Sequence, residues 1–209
     1  MEISKTFISR DLAVQFGREA VHIIEAGQYR VPFGRMVNIA HLLESSVQAT
    51  KTYPPDLPIP ETSIGENQTV VEVQNETTLA AAQRLLKSGH NPVTLNFASA
   101  THPGGGFLSG AIAQEEYLPR SSGLYACLRN NPMYDFHRSN YDPLYSNYAI
   151  YSPGVPVFRS DDGLLLEEPY CVAIITSPAV NASKLDAARC SEIKPAMWKR
   201  ILKVLSIGI

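Results

Sequence analysis

The stretch NPVTLNFASATHPGGGFLSGAIAQEEYLP, residues 91–119, sets an apolar run directly before three consecutive glycines and, soon after, two adjacent glutamates. The run NPVTLNFA, residues 91–98, reads as a buried, central strand. Gly104, Gly105 and Gly106 would cost backbone entropy in any regular element. What they gain is access, because backbone N–H groups without a Cβ beside them can close around a phosphate. The helical turn that follows adds further free N–H groups and a positive dipole end. The glycines match neither a phosphate loop ending in GK[ST] nor GxGxxG, so a standard nucleotide-binding fold is not indicated. A tight loop that binds nothing is the other reading of three glycines alone.

Glu115 and Glu116 are neighbours, and successive helical side chains point about 100° apart. They cannot flank one bond as the usual glycosidase pair does, at roughly 5 Å or more across the sugar. A division of labour suits them better. One can protonate a scissile oxygen as general acid while the other accepts hydrogen bonds from sugar hydroxyls. The plainer alternative is two surface carboxylates favouring a helix N-terminus.

Working outward, TVVEVQN (69–75) alternates as a strand, and ETTLAAAQRLLKSGH reads as a helix starting near Thr77 or Thr78 and stopping near Gly89. Strand, helix and strand with a glycine loop at the second strand's end is βαβ organisation. Ligands of such sheets bind beyond the strand C-termini. After Glu116 the pattern predicts a short turn, a break at Pro119, a helix over RSSGLYACLR and a loop through NNPMYDFHRSNYDPLYSNY. Ser121 and Ser122 suit helix capping, and Cys127 falls at a core spacing. Residues 149–180 read as strand, tight turn at Asp162-Gly163 and strand, with CVAIITSP a further buried strand. SEIKPAMWKRILKVLSI closes the sequence as a helix. Upstream, SRDLAVQFGREAVHIIEAGQY has helical spacing with Ser9 as N-cap and Gly27 as stop. Met36–Ala40 predicts a short strand, HLLESSVQAT a short helix, and TYPPDLPIPETSIGENQ a proline-rich loop.

Length and composition agree with one globular domain carrying a small N-terminal extension. The division expected is residues 1–68 as helical extension and linker, and 69–209 as the ligand-binding domain. A net charge of −2 gives no basic stripe for a nucleic-acid backbone, though a small anion needs only a local site. Cys127, Cys171 and Cys190 are isolated, which suits a reducing compartment. The five histidines show no metal-ligand spacing, so neither a zinc site nor a cofactor is expected. The N-terminus lacks an apolar signal core, and no apolar run approaches the ~20 residues that cross a bilayer. A soluble, cytoplasmic protein is the expectation; oligomeric state is not legible.

LNFASATHPGGGFLSGAIAQEEYLPRSSGLYACL resembles the signature block of microbial-type poly(ADP-ribose) glycohydrolases, of the macrodomain superfamily. Glycines, spacer, the acids of Gln114-Glu115-Glu116 and the flanking RSS occur together. TVVEVQNETTLAAAQRL before the block, and YSPGVPVFRSDDG and ITSPAVNA after it, keep the family's order. The resemblance implies a three-layer α/β/α fold on a mixed central sheet. It implies ADP-ribose or poly(ADP-ribose), free or on modified proteins, as ligand, and hydrolysis of the ribose–ribose O-glycosidic bond. Glu116 maps to the catalytic acid/base and Glu115 to the residue that binds ribose hydroxyls. Gly104, Gly105 and Gly106 would wrap the diphosphate and terminal ribose. Asn96, Ala98 and Ser99 would shape the ribose pocket, and Gln114 would orient the acids. Phe107 would either pack over the ligand or sit in the core. His102 stands where the family mostly has Asn, Lys or Arg. Family members continue past the closing helix with a strand and a second glycine-rich phosphate loop, so the resemblance implies a domain short of its C-terminal part. A reader that binds without hydrolysing, and an inactive remnant, are the alternatives.

Overall fold

The computed structural model describes residues 8–32, 34–58 and 68–208. Seven α-helices appear among them: α1 Arg10–Ala26, α2 Ala40–Ala49, α3 Thr78–Lys87, α4 Gln114–Ser121, α5 Leu124–Leu128, α6 Pro132–Ser139 and α7 Ile193–Gly208. The strands are β1 Gln28–Arg30, β2 Met36–Asn38, β3 Lys51–Tyr53, β4 Val93–Ala98, β5 Ala149–Arg159 and β6 Leu165–Pro178. β1 and β2 form a small antiparallel ribbon. The main sheet runs β3-β5-β6-β4 and is mixed, antiparallel except for the parallel β4–β6 pair.

Helices flank this sheet. On one side Leu79, Leu118, Leu124, Leu128, Met133 and Tyr134 from α3 to α6 meet Ile150, Val157 and Ile174 in the main core. Strand residues alternate faces, so Ile175 points the other way, and its Cδ1 lies 3.5 Å from a Cβ built on Gly208 of α7. A second core joins α1, the β1–β2 ribbon and Phe158. α7 turns Arg200 and Lys203 inward, where they donate to the carbonyls of Leu144 and Tyr145, and of Tyr53 and Pro54.

Local signals set most element ends. Ser9 accepts from Leu12 N at 3.2 Å, and Gly27 ends α1 at φ 64°. Thr77 caps α3 by accepting from Ala80 N at 3.1 Å. The β5–β6 hairpin turns at Asp162-Gly163, with Gly163 at φ 89°. The region before residue 68 supplies β3 to the main sheet and α1 to the back of the glycine loop.

Four expectations are corrected. Residues 69–75 form no strand, and Val73 is 92% exposed, because no described residue pairs with them. β4 is an edge strand among the described residues rather than a central one, and Phe97 on it is 63% exposed. The helix carrying the glutamates does not break at Pro119. It runs to Ser121, and the break follows where Ser122 bridges to Val157 and Gly123 N donates to Pro156 O at 2.8 Å. The loop expected after residue 129 contains α6, started by Pro132 with Asn131 Oδ1 accepting from Met133 N at 3.0 Å. Residues 1–7 of the N-terminus and 59–67 of the proline-rich loop lie outside the described residues.

α1 lies so close to the glycine loop that a Cβ on Gly17 would sit 2.6 Å from the carbonyl oxygen of Phe107. Glycine to alanine inside a helix ordinarily stabilises by about 0.5–1 kcal/mol. Here Gly17→Ala is expected to destabilise instead, by about 1–3 kcal/mol. Urea unfolding of the two proteins reads the sign directly, and a stabilised variant would show that α1 is free to move away.

Candidate active site

β4 delivers the chain to the site, and the loop from Ser99 to Ala113 carries it to α4. Ser99 opens the loop: its hydroxyl accepts from Thr101 N at 3.3 Å and His102 N at 3.2 Å. Gly105 N then donates to His102 O at 3.0 Å, with Gly104 and Gly105 both left-handed at φ 71° and 59°. Two successive left-handed residues are cheap only for glycine. The loop is clamped from outside by Arg138, whose Nη1 donates to Thr101 O at 2.6 Å, and by Arg10, whose Nε donates to Ser109 O at 3.1 Å.

The returning α4 brings Glu115 and Glu116 beneath this loop, 8% and 7% exposed. They are not surface carboxylates. A Cβ on Gly105 would fall 2.4 Å from Glu116 Oε1 and 2.7 Å from Glu115 Oε2. The bare α-carbon of Gly105 is therefore what both side chains pack against. Glu116 is held by the backbone, accepting from Gly106 N at 2.9 Å on Oε1 and from Ala113 N at 3.0 Å on Oε2. The second bond is the acidic half of a capping box. Glu115 is held differently. Its Oε1 is buried and makes no hydrogen bond among the described residues. Burial pushes its carboxyl up from 4.5 to about 7, with the backbone amides of Ser99 and Gly105 opposing and the charge of Glu116 adding to the rise.

Other residues singled out by sequence surround this pair. Gln114 is a three-way tie: its Oε1 accepts from Phe97 N at 3.0 Å, and its Nε2 donates to Leu95 O at 2.8 Å and Thr78 Oγ1 at 3.2 Å. Asn96 is fully buried, its Nδ2 donating to Thr176 Oγ1 at 3.2 Å while Oδ1 finds no partner among the described residues. Ala98 closes β4 just before the loop, also buried. Phe107 is 2% exposed, its ring 5.0 Å from that of Tyr125, so it packs in the core between loop and helices. Of its two readings the buried one describes its place.

Sequence reasoning passed over several residues. Arg120 is buried, donates to Ala111 O and lies close enough to Glu116 to feel its charge. Tyr134 from α6 is buried near Glu115, and the hydroxyl of Tyr117 donates to Asp161 Oδ1. Arg120 stands in the flanking RSS of the signature and at the basic end of a helix opened by two acids, but neither feature gives it a role in the site.

A glycine loop at the C-terminal end of a strand, closing over two buried carboxylates, defines a macrodomain-type α/β site. Residues 17–160 match the family model described as "Microbial-type PARG, catalytic domain". The chain belongs to that family, within the macrodomain superfamily. It is similar to the poly(ADP-ribose) glycohydrolase of Thermomonospora curvata, at 50% identity over 93% of this chain and 74% of that one, with a TM-score of 0.87. The same enzyme bound to the inhibitor ADP-HPD gives 48% identity over 93% and 73% of the two chains, and a TM-score of 0.84. The Deinococcus radiodurans enzyme in complex with ADP-ribose gives 39% identity over 79% and 70%, and a TM-score of 0.72. No curated protein matches.

The raised Glu115 has a thermodynamic consequence. Its folded value of about 7 lies above its ordinary 4.5, so the folded chain binds this proton more tightly than the unfolded one. The associated stability is complete below about pH 4.5 and is lost as pH rises through about 7. Between about pH 5 and about pH 8 the wild-type Tm should therefore fall more steeply than that of Glu115→Gln. Parallel profiles in differential scanning calorimetry would place the proton elsewhere.

Proposed function

We propose that the protein hydrolyses the ribose–ribose O-glycosidic bond of poly(ADP-ribose), releasing ADP-ribose. The observation that carries this reading is the convergence of two buried carboxylates on the bare α-carbon of Gly105, under a left-handed glycine loop. Relatives at 39–50% identity carry the name poly(ADP-ribose) glycohydrolase, and one of them holds ADP-ribose. The diphosphate and terminal ribose would lie along Gly104 to Gly106, with the ribose over Asn96, Ala98 and Ser99.

In this reading Glu116 is the acid/base. Its protonated form gives a proton to the departing 2′-oxygen as the anomeric C–O bond breaks and an oxocarbenium-like centre develops. Its carboxylate then takes a proton from the water that attacks the anomeric carbon, restoring the starting state. Glu115 binds the ribose hydroxyls of the scissile linkage. The bonds from Gly106 N and Ala113 N fix Glu116 before substrate arrives, which is what preorganisation of an acid/base group requires.

A second assignment within the same reaction is favoured by one observation. Glu115 has the carboxyl raised to about 7 and a buried oxygen that finds no partner among the described residues, the two properties of a general acid working near neutrality. The two assignments separate in kinetics. With Glu116 as acid/base, Glu116→Gln lowers kcat on poly(ADP-ribose) by roughly 10²–10⁴-fold, while Glu115→Gln acts mainly on KM. The reverse pattern assigns the proton transfer to Glu115. Calorimetric binding of ADP-ribose with no release by the wild type would make the protein a reader, and neither binding nor release would sink both.

A further inference from the structure

Glu115 and Glu116 sit on the first turn of a helix only eight residues long. So short a helix has little rigidity of its own. Pro119 weakens it further, because it lacks the N–H that would pair with the carbonyl of Glu115. The rotation of this turn about its axis must then be fixed by side chains, and the residues on either side of the glutamates supply the fixing. Gln114 ties the turn to β4 and to Thr78 at the start of α3. Tyr117 reaches out on another side. Its hydroxyl donates to Asp161 Oδ1 in the β5–β6 turn. Thr77 Oγ1 lies 3.3 Å from the same hydroxyl and donates to Asp161 Oδ2 at 2.8 Å, while it caps α3. The knot thus joins α4, the start of α3 and the β5–β6 turn at one exposed carboxylate. Burial, and then the bond to Asp161, push the Tyr117 phenol up, so it stays a donor at any working pH.

We propose that Tyr117, held by Asp161, is a positioning residue that sets the angle at which α4 presents Glu115 and Glu116 to the glycine loop. The tolerance for that angle is small. The space at Gly105 is filled by both carboxylates, and the same turn must keep Glu116 in register with Gly106 N and Ala113 N. The consequence for turnover rests on the glycohydrolase reading above; the consequence for the geometry of the carboxylates does not.

The ring of Tyr117 also packs against the main core, so the test must separate packing from positioning. Tyr117→Phe keeps the ring and removes only the donor, and Asp161→Asn removes the charge of the acceptor. On poly(ADP-ribose), each is expected to lower kcat roughly ten- to a hundred-fold with KM little changed. The double variant should be no worse than the poorer single, as for two members of one interaction. A second readout needs no turnover: the ¹³C NMR titration of the Glu115 carboxyl, whose charged or titratable neighbours are Glu116, Tyr134 and, beyond Glu116, Arg120. Its midpoint should move from the wild-type position in both variants. An active wild type whose kcat survives either substitution overturns the proposal, even if Tm falls. If the wild type releases no ADP-ribose, the glycohydrolase reading fails by itself, and an unmoved Glu115 midpoint in both variants then overturns the positioning role.

Discussion

Two carboxylates meeting at a position that has no side chain is the constraint on which the rest of this structure depends. A Cβ on Gly105 would lie within 3 Å of both Glu115 and Glu116, so one missing methyl makes the site possible. Placing two acids together below a protein surface is costly unless each is hydrogen-bonded or neutral. The protein uses one solution for each. Glu116 receives two backbone N–H donors from the loop it supports, whereas Glu115 keeps a proton to higher pH. The pair is asymmetric although the residues are adjacent and identical, because successive side chains on a helix meet different surroundings.

The glycine loop does not hold itself up. Left-handed residues at 104 and 105 give it its path, but its outer surface rests on other elements. α1 presses on it at Gly17 and Gly110, where Cβ atoms would come within 2.6–2.7 Å of backbone oxygens, and α6 clamps its entry through Arg138. Pro119 abuts it from below: a Cβ on Gly104 would lie 3.2 Å from the proline ring. A proline inside a helix is ordinarily a fault. Here its ring fills the space left by a glycine, and the lost hydrogen bond falls on the turn that Gln114 and Tyr117 hold from the side.

The parts of this arrangement that were legible in sequence are those with local causes. The caps at Ser9, Gly27 and Thr77, the hairpin turn at Asp162-Gly163 and the glycine loop with its glutamates each follow from residue types within a few positions. What misled were elements whose state depends on distant partners. Residues 69–75 alternate like a strand, yet a strand exists only when another pairs with it, and Val70, Val71 and Val73 stay exposed. β4 reads as central by its apolar content, but among the described residues it pairs only with β6 and is an edge. Pro119 reads as a break because a sequence cannot show that its ring packs on Gly104. Arg120, Arg138 and Tyr117 are ordinary by local pattern and become site residues only through contacts 9 to 44 positions away.

The charges behind the site extend this logic through the molecule. Arg120 is buried within the field of Glu116 and donates to Ala111 O, the residue just before the turn into α4. Its own carbonyl accepts from Arg159 Nε at 3.0 Å. Arg159, also buried, donates to Gly163 O at 3.0 Å and to Glu19 Oε2 at 2.8 Å, and lies over the ring of Phe16. Burying two guanidinium groups so close together is unfavourable unless their donors and charges are met. Glu19 pairs with Arg159, and the charge of Glu116 acts in the same sense on Arg120, yet burial outweighs both and holds the two guanidinium groups below their ordinary range. Acidic and basic side chains therefore follow one another from the turn that carries the two glutamates through the end of β5 to α1. Helix α1 thus does more than cover the loop: through Glu19 it carries the countercharge of the buried Arg159. Removing Glu19 leaves Arg159 buried without its ion-pair partner, so the N-terminal helix bears on the strand end that holds the carbonyl of Arg120, roughly a hundred residues further along the chain.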